Sequence, residues 1–129
     1  MLKKLTPNLM VNNVNRSIAF YQEVLGFERL MTVPEEGEFD WALLKCGEVE
    51  IMLQSRGSLT QEIPALAGQA RGGALTLYID VVDVEGLYEK IRDRVTLVQA
   101  LHGTFYGTRE FAIQDEDGFI LAFAEREAD

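Results

Sequence analysis

The feature that most constrains this chain is a repeated order of elements. "LTPNLMV" (Leu5 to Val11) reads as a strand, "NNVNRSIAFYQEVLGF" as a helix, and "FERLMTV", "FDWALLKCG" and "EVEIMLQSR" as three more strands. The second half repeats the order. "ALTLYIDV" is a strand, "VEGLYEKIRDR" a helix, and "VTLVQAL", "REFAIQ" and "FILAFAE" are strands. An offset of about 67 residues lays Phe20-Tyr21 on Leu87-Tyr88 and Val24 on Ile91. One such unit cannot bury both faces of its sheet alone, so two are expected to pair.

Local signals support each element. Ile18, Tyr21, Val24 and Leu25 recur at helical spacing, Asn13 or Asn15 can cap the helix, and Gly26 can end it. In the second helix Asp83 is the cap, and Val84, Leu87, Tyr88 and Ile91 form the apolar stripe. Pro7 suits an edge or the end of a strand. The stretch from Gly57 to Gly73 has Gly, Pro and small polar residues without a strong period; it reads as a linker with one short helical turn around Ile63 to Leu66. The expected organisation is a single domain over 1–129, with module one at 1–57, a linker at 58–73 and module two at 74–129.

Composition narrows the functional classes. A net charge of −9 disfavours nucleic acid and anionic membrane surfaces, which need clustered Lys and Arg. It suits a cationic guest if the acids line a groove, but the larger share of the reading goes to acid that keeps the surface solvated. No apolar run is long enough to cross a bilayer, and "MLKKLTPNLMV" is too soon interrupted for a signal peptide, so the cytoplasm is the expected location. Cys46 is the only cysteine, which excludes an intrachain disulfide.

Three segments carry a resemblance: "RSIAFYQEVLGFE", "LYIDVVDVEGLYEKI" and "YGTREFAIQDEDGFILAFAE". With them the chain resembles the vicinal oxygen chelate superfamily, the group of glyoxalases, bleomycin-resistance proteins and extradiol dioxygenases. The resemblance implies an α+β fold of two paired β-α-β-β-β modules whose curved sheets form a cleft. It also implies a divalent metal held by four side chains from the first and last strands of the modules. On this chain those positions fall at Thr6 or Asn8, near Met52 or Gln54, at Ala74 and at Ala122. Two alanines cannot ligate, and His102, the single histidine, sits in the expected loop before the last hairpin. The expectation is therefore a fold without its metal site and with no cofactor. The closest branch of the resemblance is the bleomycin-resistance one, which has an aromatic-Gly-x-Arg-Glu-Phe segment entering the seventh strand.

The candidate site residues are aromatic and polar rather than catalytic. Trp41 lies mid-strand, either in the core or stacking on a planar ligand. Tyr78 shares a face with Ala74 and Thr76 and points toward the cleft, away from Leu75, Leu77 and Ile79. Phe105, Tyr106 and Arg109 surround Gly107 as an aromatic wall with a cation beside it, although Arg109 can instead pair with an acid such as Glu110 or Asp115. Asn8 and Gln54 are the hydrogen-bonding groups of the first sheet. "DEDG" at 115–118 reads as a hairpin turn, since it lacks the twelve-residue pattern of a calcium loop.

Two functions compete. One is a metal-free binding protein, a homodimer that sequesters a small planar or cationic molecule in an aromatic cleft. The other is a glyoxalase-like isomerase, lyase or dioxygenase with an atypical site, for which Glu50, Glu110 or Tyr78 would have to supply the base.

Overall fold

The computed structural model describes residues 1–127; the last two positions of the expected second module lie outside the described residues. The chain divides into two units, Met1–Arg71 and Gly72–Asp129.

Unit one runs β1 (Asn8–Val11), α1 (Val14–Leu25), β2 (Glu28–Val33), β3 (Trp41–Cys46), β4 (Val49–Ser55) and α2 (Arg56–Glu62), followed by a 3₁₀ turn at Pro64–Leu66. Its sheet order is β1-β4-β3-β2, with β1 parallel to β4 and the other pairs antiparallel. Proline has no N–H to give the ladder, so β1 starts one residue after Pro7. The Pro7 carbonyl still accepts from the Met52 amide at 2.8 Å. Alternation splits the sheet into two faces. Val11, Ala42, Leu44 and Leu53 are fully buried on the face that carries α1, where Val14, Ile18 and Tyr21 are buried too. Burying each large side chain of that set is worth about 1.5–3 kcal/mol.

Asn13 is the cap of α1: its side chain accepts from the Arg16 amide at 3.0 Å. Asn15, the other candidate, does different work. Its Nδ2 donates to the Gly37 carbonyl and its Oδ1 accepts from the Phe39 amide, both at 2.9 Å, which ties the β2–β3 connection to the helix. Gly26 ends α1 in the left-handed region at φ 76°, its N–H donating to the Gln22 carbonyl.

The expected linker is in part structured. Residues 56–62 form α2, capped by Ser55, with Leu59 buried and contacts to β1 and β4. A helix of seven residues with a single buried apolar side chain leaves no periodic trace in the sequence, which is why this stretch reads as linker. The expected turn at Ile63 to Leu66 is the 3₁₀ turn.

Unit two repeats the scheme: β5 (Thr76–Asp80), α3 (Val84–Ile91), β6 (Thr96–Gly103), β7 (Thr108–Gln114) and β8 (Ile120–Arg126), in sheet order β5-β8-β7-β6 with β5 parallel to β8. Each unit is thus a β-α-β-β-β module. Phe111, Ile113, Leu121 and Phe123 are buried on the face that carries α3, with Tyr88 packed against Phe111 at 5.1 Å between ring centroids. The N-terminus of α3 is capped twice. The Asp83 side chain accepts from the Gly86 amide, and Glu125 of β8 accepts from the amides of Asp83 and Val84 at 2.9 and 3.0 Å. β6 is longer than expected. His102 belongs to it, opposite Glu110 in register, because the hairpin ladder continues until Thr104 closes onto Thr108. Ala74 falls outside β5, which begins at Thr76.

Candidate functional site

The open face of the second sheet carries the chemistry. Along β7 the side chains alternate, so Phe111 and Ile113 back onto α3 while Thr108, Glu110 and Ala112 face the other way. Beside them on β8 and β5 lie Ala122, Ile120, Thr76 and Tyr78. Together they line a recess of about 600 Å³. Its floor has only methyl groups at Ala112 and Ala122, its polar centre is Glu110, and Tyr78 and Tyr106 stand at its sides. Val98 and Gln99 complete it. These two are neighbours in sequence, and the register irregularity between Leu97 and Gln99 is what brings both to one side of the edge strand.

Glu110 is 7% exposed, and three hydroxyls converge on one of its oxygens. Tyr78 Oη donates to Oε2 at 2.5 Å, Thr108 Oγ1 at 2.7 Å and Tyr106 Oη at 3.0 Å. Thr108 Oγ1 is itself 2.7 Å from Thr104 Oγ1, so the hairpin between β6 and β7 is tied to the carboxylate through a chain of hydroxyls. Burial by itself would push the Glu110 carboxyl up. The hydroxyls of Tyr78, Thr108 and Tyr106, with a smaller contribution from His102, outweigh it and hold the carboxyl below its ordinary value. The same bonds act in reverse on the phenols. The hydrogen bond to Glu110, then burial, pushes Tyr78 up to about 12, and Tyr106 is raised for the same reasons. Glu110 is therefore an ionised acceptor and both phenols are donors.

In unit one, Asn8 Nδ2 donates to Gln54 Oε1 at 2.8 Å, and Gln54 Nε2 donates to Ser58 Oγ at 2.9 Å and Glu62 Oε2 at 3.1 Å. A carboxylate can only accept, so this chain fixes which way both amides point. The Asn8 Oδ1 that results is buried without a partner among the described residues. Trp41 lies opposite Gln54 in register and on the sheet face away from Ala42 and Leu44.

The structure thus brings Tyr78 and Tyr106 to one recess, and Asn8, Gln54 and Trp41 to one face of the other sheet. Two expected residues do not join the recess. Arg109 alternates onto the α3 face of β7, where its Nε lies 3.1 Å from Glu85 Oε1 as an ion pair without hydrogen-bond alignment, so its acid is neither Glu110 nor Asp115. Phe105 is fully exposed at the hairpin tip, edge-on to Tyr106 at 5.0 Å. Sequence reasoning passed over Thr104 and Thr108, and it weighed Glu110 only as a base or as a partner for Arg109. A period-two reading of β7 carries the missing signal, since it sets Glu110 and Ala112 on one face and Arg109 on the other.

The donor set does not fit the metal that the fold implies. Ala122 presents a methyl to the recess, Ala74 is exposed outside its strand, and Gln54 and Asn8 bond to each other. Among the described residues no three His, Cys, Asp or Glu side chains converge.

The glyoxalase family model, described as the Glyoxalase/Bleomycin resistance protein/Dioxygenase superfamily, matches residues 5–123. The chain belongs to this superfamily. A bleomycin resistance protein of Geobacillus stearothermophilus is 28% identical over 129 residues, covering 93% of this chain and 94% of that protein. Among solved structures, a protein of unknown function from Agrobacterium tumefaciens str. C58 superposes with a TM-score of 0.80 at 25% identity, over 97% of this chain and 94% of its own. TioX from Micromonospora sp. ML1 superposes with a TM-score of 0.78 at 21% identity, over 97% and 99%, and shares the fold. Superfamily membership makes the α+β pair of β-α-β-β-β modules the family's own architecture.

Proposed function

We propose that this protein is a small-molecule binding protein of the bleomycin-resistance type, which holds its ligand without transforming it. The observation that carries the reading is the recess on the open face of the second sheet: a methyl-floored hollow with two half-exposed tyrosines at its sides. The similarity to bleomycin resistance proteins along nearly the whole chain supports it. The competing enzyme reading needs a base near neutrality. Glu110 lies below the ordinary carboxyl range and Tyr78 is pushed up to about 12, so both move away from that poise.

In this reading the protein works in the cytoplasm as a homodimer. Support for pairing comes from β2, an edge strand that exposes Leu30, Met31 and Val33, and apolar edges invite pairing. Sedimentation at micromolar concentration is expected to give twice the 14.5 kDa chain mass, and a clean monomer removes this part of the reading.

The test of function is a calorimetric titration with metal-free bleomycin, followed by mass spectrometry of the recovered ligand. Saturable binding, ligand returned unchanged, and loss of binding in Ala122→Leu, which fills the floor, are expected. A chemically altered product would replace the binding reading with the enzymatic one.

A further inference from the structure

We propose that Glu110 is the charge anchor of the recess, and that the ligand group it takes is a flat cation with N–H donors, of the amidinium or guanidinium class. The inference rests on the recess being a binding site, and it adds the chemistry of what enters. Three observations lead to it.

The first is the division of labour between the two oxygens of Glu110. The hydroxyls of Tyr78, Thr108 and Tyr106 all end on Oε2, and Oε1 takes none of them. The carboxylate is held in one orientation through Oε2, and none of these three donors satisfies Oε1. Such fixing of a polar group before binding reduces the cost of ordering it later.

The second is the charge balance. All three donors are neutral, so the carboxylate is hydrogen-bonded but not neutralised. The basic residue next to it in sequence, Arg109, is turned to the opposite face, where it lies against Glu85. Among the described residues two basic groups lie nearby: His102, opposite Glu110 on β6, and Arg126, opposite Thr108 on β8, whose guanidinium is directed to the Tyr106 carbonyl at 3.5 Å. A buried carboxylate without a full counter-ion gains most from a ligand that brings one.

The third is shape. Ala112 and Ala122 leave room at the floor, and Tyr78 and Tyr106, 53% and 48% exposed, stand beside the carboxylate. Aromatic faces beside an acid favour a delocalised cation over a neutral polar group, since ring and carboxylate both attract it. Flatness suits a hollow bounded by a sheet.

A matched pair of probes isolates the charge. Benzamidine and benzamide share size and shape, but only the first is a cation. Each is titrated into the full-length protein, with the backbone amide resonances of Ala112 and Ala122 as reporters. Benzamidine is expected to bind at least about tenfold more tightly than benzamide, the ratio a single charge-assisted hydrogen bond produces. Glu110→Gln keeps the shape and an acceptor for the three hydroxyls while removing the charge, and is expected to bring benzamidine down to the benzamide level. Raising sodium chloride should weaken benzamidine alone in the wild-type protein, a comparison that stands even if Glu110→Gln does not fold. Equal binding of both probes would overturn the anchor and leave the recess as a binding site. If neither probe moves the floor resonances, the recess fails as a site and the anchor with it.

Discussion

Tyr78 Oη donates to Glu110 Oε2 at 2.5 Å across 32 residues of sequence, joining two strands that are not neighbours in the sheet. Phenol and carboxylate shift each other in opposite directions, so both stay in the protonation states that make the bond. Tyr78→Phe keeps the ring and deletes the donor. Its expected cost is about 1 kcal/mol, below the usual figure for a hydrogen bond to a charged group because the ring is half exposed to water.

The same variant has a pH signature. The folded-state pKa of Glu110 is depressed. The carboxylate therefore contributes stability above its unfolded pKa, and that contribution is lost as pH falls through the folded pKa. With one of three donors gone the Glu110 pKa should rise toward the ordinary value, and the acid loss of stability should shrink. Carboxyl carbon shifts of Glu110 followed through an acid titration of both proteins check this, and an unchanged titration would mean that the phenol does not hold the carboxylate.

Glu125 is expected to show the same sign by a different route. The backbone amides of Asp83 and Val84 hold its carboxyl below the ordinary range by donating to it at the start of α3. Glu125→Ala should lower the thermal midpoint at neutral pH and have less effect at pH values where the wild-type carboxyl is already protonated. Thermal unfolding of both proteins between neutral and acid pH is the measurement, and a difference that stays constant across the series would rule out a charge-dependent cap.

The order of elements and part of the buried faces were legible in the sequence because they rest on periodicity. Leu121 and Phe123 share a strand face by spacing, and Val84, Tyr88 and Ile91 declare a helix, whereas β3 is apolar on both faces and its spacing left Trp41 between core and cleft. α2 was not legible, because a helix held by one leucine and a serine cap has no period to read. Nor was the hydroxyl cluster. Glu110 looks like half of a surface Arg-Glu pair until alternation separates the two. Its donors come from a strand 32 residues away and from a hairpin whose closure depends on Thr104 meeting Thr108. Tertiary pairing of polar groups leaves no local pattern.

Gly72 tests a close approach of backbones within unit two. It has φ +85°, and a Cβ there would lie 2.5 Å from the carbonyl oxygen of Gly118 in the β7–β8 turn. Neither partner is a flexible side chain that can swing aside. Gly72→Ala combines a strained φ with a backbone collision, and a loss of about 1–3 kcal/mol is expected. Gly73 is the control, with φ +58° and open space around its Cβ position; Gly73→Ala should cost less, its penalty coming from φ alone. Denaturant unfolding of the pair would show equal losses if the contact with Gly118 did not matter.

Trp41 and Leu44 lie on one strand, β3, and on opposite faces of its sheet. Leu44 is fully buried against α1, while Trp41 is only partly buried on the other side, opposite Gln54. Leu44→Ala should cost about 2–5 kcal/mol, the range for emptying a packed site. Trp41→Ala removes a larger side chain, yet should cost less in stability because much of its surroundings is not packed core. If the first sheet contributes to ligand binding, Trp41→Ala should also weaken binding by more than it weakens folding, through loss of a stacking surface worth about 0.5–1.5 kcal/mol beyond its area. Chemical denaturation and ligand titration on the same two variants decide the matter. A stability loss in Trp41→Ala as large as in Leu44→Ala, with normal affinity in the remaining folded protein, would make Trp41 a core residue and remove it from the binding surface.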